Sequence, residues 1–166
     1  MEDSLLKIVE ERLGRPPRGL REIAVVDSAG LPMVIRVASL VGGKPFPTLY
    51  WLIDPVLCLR IDRAEAAGLI ADLQCRIDVD SALRERMRDD HQAHIALRES
   101  YLMPEEIHQL RSRGLWPALA ERGIGGIADF SRIRCLHTWY ASHLVVPNTV
   151  GRLLEDHWAS LAEANQ

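Results

Sequence analysis

Imidazole and guanidinium groups recur along one face of a predicted helix over residues 80–102. The side chains that share this face, at spacings of three and four, are Leu83, Met87, His91, His94, Arg98 and Tyr101. The face therefore changes from apolar to polar at its middle. This face lines a pocket if a second polar surface packs against it. Otherwise its polar side faces solvent, or its histidines bind backbone carbonyls. The sequence leaves both interpretations open.

A second concentration of polar side chains lies on residues 132–145, which are also predicted to be helical. Its members are Arg132, Arg134, Cys135, His137, Tyr140 and His143. On a regular helix, residues two apart lie about 200° around the axis, so Cys135 cannot share a face with His137. His143 lies about 80° from Cys135, on the side away from His137, which excludes a three-ligand metal site on this helix.

Two interpretations of Cys135 follow from this geometry. A nucleophilic cysteine-histidine pair requires Cys135 to precede the regular helix, so that its thiol comes within hydrogen-bond reach of His137. A buried thiol requires no such exception and is the favoured interpretation. Arg134 and His137 lie one turn apart, and we predict that this pair holds an anion.

Other motifs carry weaker signals. Gly42-Gly43-Lys44 lacks the spacing of a phosphate-binding loop, and we interpret it as a plain turn. The carboxylates of Asp62 and Glu65 lie one turn apart, but acid pairs on helices are usually solvated. The pair is therefore only a weak indication of a general acid and base.

Composition narrows the class of protein. The chain has 166 residues and a formal net charge of -3, with arginines interleaved among acids, which argues against a nucleic-acid-binding surface. Its first residues lack the basic start and apolar core of a signal peptide, and no apolar run is long enough to span a bilayer. Cys58, Cys75 and Cys135 are widely spaced, and we expect at least two of them to be core thiols. We predict a cytoplasmic protein with no membrane and no nucleic acid among its partners.

The N-terminal part of the chain alternates between strand and turn signals. Residues 3–13 carry leucine and valine at helical spacing, and Glu22–Val26 and Met33–Val37 flank the turn Asp27-Ser28-Ala29-Gly30. A third strand is predicted over residues 48–53, apolar enough to be covered on both faces. Tyr50, Leu52 and Leu57 are predicted core positions.

Helices are predicted for the rest of the chain. Asp54-Pro55 is a helix start, and further helices are expected over 80–102, from Pro104 to Gly114, over 132–145, and from Asn148 to about residue 161. The predicted fold class is therefore α+β. We expect one domain over residues 1–166, in which a small N-terminal antiparallel sheet of about three strands packs against five to six helices.

Several strings together resemble one bacterial family, the domain of unknown function 501. They are Leu13-Gly14-Arg15-Pro16-Pro17-Arg18-Gly19, Gly30-Leu31-Pro32, Pro45-Phe46-Pro47-Thr48-Leu49-Tyr50-Trp51-Leu52, Asp62-Arg63-Ala64-Glu65-Ala66-Ala67-Gly68 and Arg134-Cys135-Leu136-His137. The resemblance covers roughly residues 10–155. It implies no activity, because the family has none to transfer.

One departure from the family bears on metal binding. Relatives from actinobacteria carry Cys-Pro-Cys before the Gly-Leu-Pro string and a cysteine before the proline that starts the next helix. Those positions are Asp27, Ser28, Ala29 and Asp54 in this chain, so only Cys135 remains of four thiols suited to zinc. The resemblance therefore implies that a zinc site of relatives is lost here, and we expect no metal and no cofactor.

The two polar helices support one hypothesis of function and leave an alternative. The first is a small-molecule pocket between the sheet and the helices over 80–102 and 132–145, which binds an anionic carboxylate or phosphate ligand. His91 and His137 would supply acid-base chemistry, while the ligand-binding residues would be Arg98, Arg134, His94 and Tyr140. The alternative is a non-catalytic adaptor or regulator that docks a partner protein through loops 41–47 and 122–131.

The two hypotheses predict different positions for four side chains. The pocket hypothesis requires His91 and Arg98 to lie near Arg134 and His137 in one basic cavity, because burying polar groups without partners is costly. The adaptor hypothesis places them apart.

Overall fold

The computed structural model describes residues 3–166. An N-terminal helix, α1 (Asp3–Leu13), leads into a three-stranded antiparallel sheet of β1 (Leu20–Val26), β2 (Pro32–Val37) and β5 (Tyr50–Leu52), in the order β1-β2-β5. Between β2 and β5 the chain forms a separate small hairpin of β3 (Leu40–Val41) and β4 (Lys44–Pro45). The small N-terminal antiparallel sheet that the sequence predicts is confirmed.

The hairpin between β1 and β2 is closed by the predicted turn. The Gly30 N–H donates to the Asp27 carbonyl at 3.0 Å, and the Asp27 carboxylate accepts the N–H groups of Ala29 and Leu31. Gly30 has a φ of +79°, a left-handed conformation that glycine adopts without steric cost. Aspartate at the first position and glycine at the fourth thus fix the register that pairs Ile23 with Ile35.

The remainder of the chain is helical: α2 (Pro55–Ala66), α3 (Leu69–Val79), α4 (Ser81–Ser100), α5 (Pro104–Ser112), the short α6 (Pro117–Ala120), α7 (Leu136–Val145) and α8 (Thr149–Ala164). Three of these helices begin at side-chain caps, since Asp54, Asp80 and Asn148 accept backbone N–H groups of the first turn. A single 3₁₀ turn spans Ile124–Gly126.

Two helix predictions need correction. The structure has eight α-helices within residues 3–166 instead of five to six, because α3 follows α2 after a two-residue break at Ala67 and Gly68 and α6 is a single turn. Helix α7 begins at Leu136 and not at residue 132. Residues 132–135 are therefore free of helical geometry, which decides the position of Cys135.

Apolar side chains cover both faces of the sheet. Val9 of α1 packs on one face with Ile35 and Val37 of β2, while Ala141 of α7 lies on the other face with Val34. The largest core cluster lies between α2, α3, α4, α7 and α8. Helix α7 contacts both the sheet and this helical layer.

The predicted core positions are confirmed in part. Tyr50 is buried, but Leu52 and Leu57 are only partly buried and pack against the edge of the helical core. Leu52 pairs with Val34 at the end of β5, and Leu57 lies in the first turn of α2, where the chain turns from the sheet into the helix. At such a corner one side of each leucine faces solvent.

Candidate functional site

His91 is a packing residue in the middle of α4. It is fully buried, its ring stacks on Phe130 at 4.5 Å and meets Trp139 edge-on, and its Nδ1 accepts the N–H of Ile124 at 3.0 Å. A Cβ at Gly123 would lie 2.1 Å from that Nδ1, so only glycine permits this approach. Burial lowers the His91 pKa to about 4, and the ring is neutral at neutral pH.

Arg98 is also fully buried and is bound by backbone carbonyls. Its guanidinium donates to the carbonyl of Pro47 at 2.7 Å and to those of Leu119 and Arg122. It thereby joins the loops 41–47 and 122–131 through their backbones. Burial lowers the Arg98 pKa to about 10, so the guanidinium still carries its charge at neutral pH. Its partners are the uncharged backbone carbonyls.

The other predicted ligand-binding residues lie in three different places. His94 is buried on α4 near Tyr50, with 7% of its surface exposed. Tyr140 is buried against Trp158 and donates its hydroxyl to Glu155 at 3.3 Å. Arg134 is exposed.

The predicted meeting of His91 and Arg98 with Arg134 and His137 in one basic cavity is wrong. The first two are enclosed by the loop 122–131 and its neighbours, Arg134 faces solvent, and His137 lies against α2. The physical reason is that each group finds its partner in a different part of the chain. His91 accepts a backbone N–H, Arg98 donates to backbone carbonyls, and His137 lies beside carboxylates.

Cys135 occupies the position that a nucleophilic pair requires. It is the N-cap of α7, with extended dihedrals of φ -153° and ψ 121°, and so precedes the regular helix. Its Sγ lies 3.8 Å from Nδ1 of His137, within the range of a sulfur hydrogen bond. Cys135 is half-buried, so it is not the fully buried thiol that the sequence favours. The expectation of at least two core thiols also fails, since Cys75 is exposed and Cys58 and Cys135 are half-buried.

Two carboxylates of α2 complete the site. Nε2 of His137 lies 3.1 Å from Asp62, and Nδ1 lies 3.6 Å from Glu65. Glu65 also accepts the N–H of Leu136 at 2.8 Å, which caps the first turn of α7. We call the four side chains Asp62, Glu65, Cys135 and His137 the thiol-imidazole site.

The sequence points to each member of this site, but it does not indicate that the pair Asp62 and Glu65 lies beside the pair Cys135 and His137. The one-turn spacing of Asp62 and Glu65 was the available signal, but it is common on solvated helices. What brings the acids to His137 is the packing of α2 on α7, which no local pattern encodes.

Comparison with known proteins gives a family and no activity. Residues 23–156 match the family model described as "Protein of unknown function (DUF501)". The chain belongs to this family. No curated protein and no solved structure matches the DUF501 chain. Within residues 3–166, the structure contains no helix with the length and apolar character needed to cross a bilayer.

The contact between Cys135 and His137 in this DUF501 site shifts the pKa values of the thiol and the imidazole in opposite directions. Burial raises the pKa of Cys135, but the hydrogen bond from His137, that from the backbone of Thr138 and the imidazolium charge together outweigh it and lower the pKa. The same hydrogen bond raises the pKa of His137 to about 9 against the effect of burial, with Glu65 and Asp62 adding to the rise. The N-terminus of α7 further stabilises a thiolate.

Three of these side chains can also hold a metal ion. Glu65, Cys135 and His137 each offer one ligand atom, and these atoms lie within 4.8 Å of one another. Sulfur, nitrogen and oxygen ligands in this number suit Zn²⁺ with one open position, and Asp62 would orient the second nitrogen of His137. The loss of three thiols relative to the family therefore does not by itself exclude zinc, because Glu65 and His137 offer the other ligands.

A groove gives access to the imidazole side of the site. It has a volume of about 200 Å³ and runs between the end of α1, β5 and the first turn of α7. Leu13, Trp51 and Leu52 line it beside His137 and Thr138. Most of its wall is apolar, so it can accommodate an apolar substituent next to the imidazole.

Proposed function

We propose that this DUF501 protein is a cysteine-dependent enzyme that transfers or hydrolyses an acyl group. Cys135 is the nucleophile, His137 its proton partner, and Asp62 the carboxylate that orients the imidazole. The observation that carries the proposal is the 3.8 Å contact of Cys135 Sγ with His137 Nδ1 at the start of a helix, with Asp62 3.1 Å from the other ring nitrogen. This is the arrangement of nucleophile, base and orienting group that recurs in thiol enzymes.

The chemistry divides into two steps. The thiolate of Cys135 attacks the carbonyl carbon of the acyl donor, a carbon–sulfur bond forms, and the bond to the leaving group breaks as the His137 imidazolium gives that group its proton. An acceptor nucleophile, such as water, then attacks the thioester while His137 takes its proton, and the thiolate of Cys135 leaves. Asp62 keeps the ring in the orientation that both steps need.

The surroundings of the site favour an uncharged acyl donor. Asp62 and Glu65 repel a carboxylate or phosphate at this position, so the anionic ligand expected from the sequence suits the thiol-imidazole site poorly. The apolar groove beside His137 accommodates the substituent of the acyl group. We place the reaction in the cytoplasm, where free thiols persist in the reduced state.

Two measurements on the purified protein test the proposal. Iodoacetamide should alkylate Cys135 faster than the exposed Cys75, and both faster than Cys58, whose pKa burial raises to about 11. Mass spectrometry of the peptides gives the three rates within one sample. His137→Phe should slow the labelling of Cys135 and leave that of Cys75 unchanged.

Turnover of p-nitrophenyl acetate as a model acyl donor tests the second half of the proposal. We expect release of nitrophenolate that Cys135→Ser abolishes and His137→Phe lowers about a hundredfold or more, with Cys75→Ser as the matched control. Equal labelling of Cys135 and Cys75, together with turnover that survives Cys135→Ser, would refute the nucleophile assignment.

The same three ligands support a second candidate, a zinc enzyme whose open coordination position activates water. Glu65→Gln separates the two candidates, because the amide oxygen can still accept the Leu136 N–H but is a poor zinc ligand. This variant should keep fast labelling of Cys135 if the thiol acts alone, and should lose metal if zinc is the cofactor. If neither the thiol enzyme nor the zinc enzyme is supported, we expect the adaptor function, in which loops 41–47 and 122–131 dock a partner protein.

A further inference from the structure

A second cavity lies on the opposite end of α7 from the thiol-imidazole site. It has a volume of about 250 Å³, opens to solvent on one side, and is lined by Tyr50 of β5, the middle of α4, Ile124 and the last turn of α7. Val146, which is half exposed, lies at its rim. Cavities of roughly 150 Å³ lined by apolar side chains can admit benzene, so this volume suffices for one substituted aromatic ring.

Two of the polar side chains at this cavity are already occupied by the protein. The Asp90 carboxylate accepts the N–H of Thr149 at 2.8 Å. The Asn148 side chain donates to the Trp139 carbonyl at 2.9 Å and accepts the N–H of Gly151 at 2.8 Å. These bonds fix the start of α8, and they use the polar atoms through which Asp90 and Asn148 could otherwise bind a ligand.

His94 differs from these neighbours. It is more than nine-tenths buried, it lines the cavity, and its Nε2 has no hydrogen-bond partner among residues 3–166. A buried polar nitrogen without a partner costs stability, and a polar ligand group that bonded the imidazole would offset part of that cost. Burial and the nearby Arg98 and His91 lower the pKa of His94 to about 3, so the ring is neutral and offers one donor and one acceptor nitrogen.

From this arrangement we infer that the cavity binds a small uncharged molecule with an apolar ring or chain and one hydroxyl or amide group bonded to His94. Leu97, Ile124 and Pro147 supply the apolar contacts. A neutral imidazole does not attract an anion, and the carboxylate of Asp90 on the same wall disfavours one. The site therefore selects polar but uncharged ligands, in contrast to the carboxylate or phosphate that the arginine and histidine pattern predicts.

Three probes of similar size test this inference by calorimetric titration of the full chain. Phenol should bind saturably, toluene about fivefold to tenfold more weakly because it lacks the hydroxyl, and benzoate should show no saturable binding. His94→Phe should reduce the affinity for phenol to that for toluene while keeping the aromatic volume. Ala93→Trp, which places a large side chain at the cavity wall, should abolish binding of both.

Each outcome decides one part of the inference. Absence of saturable phenol binding to the folded wild type overturns the site, as does tighter binding of benzoate than of phenol. Phenol binding that His94→Phe leaves unchanged overturns the assignment of His94. Cooperative urea unfolding of both variants, with a slope like that of wild type, shows that they are folded, so a loss of binding is assigned to the cavity.

Discussion

Replacing His94 by phenylalanine should change the pH dependence of stability in a defined direction. In the folded protein, burial first, then Arg98 and His91, lower the His94 pKa to about 3, whereas an unfolded histidine titrates near 6.5. A group with a lowered folded pKa contributes stability that is fully present above the unfolded pKa. That contribution is lost as the pH falls below about 6.5, because the unfolded chain then binds a proton that the folded chain does not.

The magnitude follows from the two pKa values. About 1.5 pH units separate pH 5 from the unfolded pKa, and each unit is worth about 1.4 kcal/mol, so wild type should lose about 2 kcal/mol through His94 between about pH 7.5 and pH 5. His91 adds a similar loss, since its folded pKa is about 4, but it is present in both proteins and cancels in the comparison. The His94→Phe variant should lack the His94 part alone.

Urea unfolding at both pH values measures this difference. The loss of unfolding free energy on acidification should be about 2 kcal/mol smaller in His94→Phe than in wild type, and the variant should be no less stable than wild type at neutral pH because it buries no unpartnered nitrogen. His108, which is exposed on α5, is the matched control, and His108→Phe should lose as much stability as wild type. Equal losses in wild type and His94→Phe would refute the assignment of His94 as a buried neutral histidine.

Three further perturbations test the fold and the site environment. Arg98→Met removes the donors of three backbone carbonyls and should cost at least about 3 kcal/mol in urea unfolding. A cost no larger than that of a surface substitution would contradict the conclusion that Arg98 joins the loops 41–47 and 122–131. Gly151→Ala places a Cβ 2.1 Å from the His143 ring, so we expect a loss of about 1 to 3 kcal/mol, detected as a lower melting temperature. Leu73→Ala should lower the free energy of unfolding by about 2 to 5 kcal/mol, and Leu52→Ala by less, because Leu52 is only partly buried. Equal losses would mean that Leu52 is as well buried as Leu73.

Metal content is a separate prediction. The sequence leads us to expect no stoichiometric zinc, since only Cys135 remains of the thiols that relatives carry, whereas Glu65 and His137 add two further ligands. Elemental analysis of protein purified without chelator measures this directly. One zinc per chain, lost in Glu65→Gln, would contradict the metal-free thiol enzyme and support the zinc candidate.

The sequence by itself determines the local elements of this protein. The Asp27-to-Gly30 turn, the caps at Asp54, Asp80 and Asn148, and the β-branched runs are short-range signals, because each depends on hydrogen bonds or dihedrals within a few residues. The α+β class and the family follow from such signals.

Only the tertiary structure decides how the chemistry-bearing side chains combine. The partners of His137 are 72 and 75 residues away on α2, and those of Arg98 are three carbonyls in two separate segments. The start of α7 at Leu136 instead of residue 132 converts Cys135 from a thiol on the wrong face into the neighbour of His137. Helical periodicity describes which residues share a face, but the choice of partner depends on which donors and acceptors the packed chain brings within reach, and burial requires that most of them be satisfied.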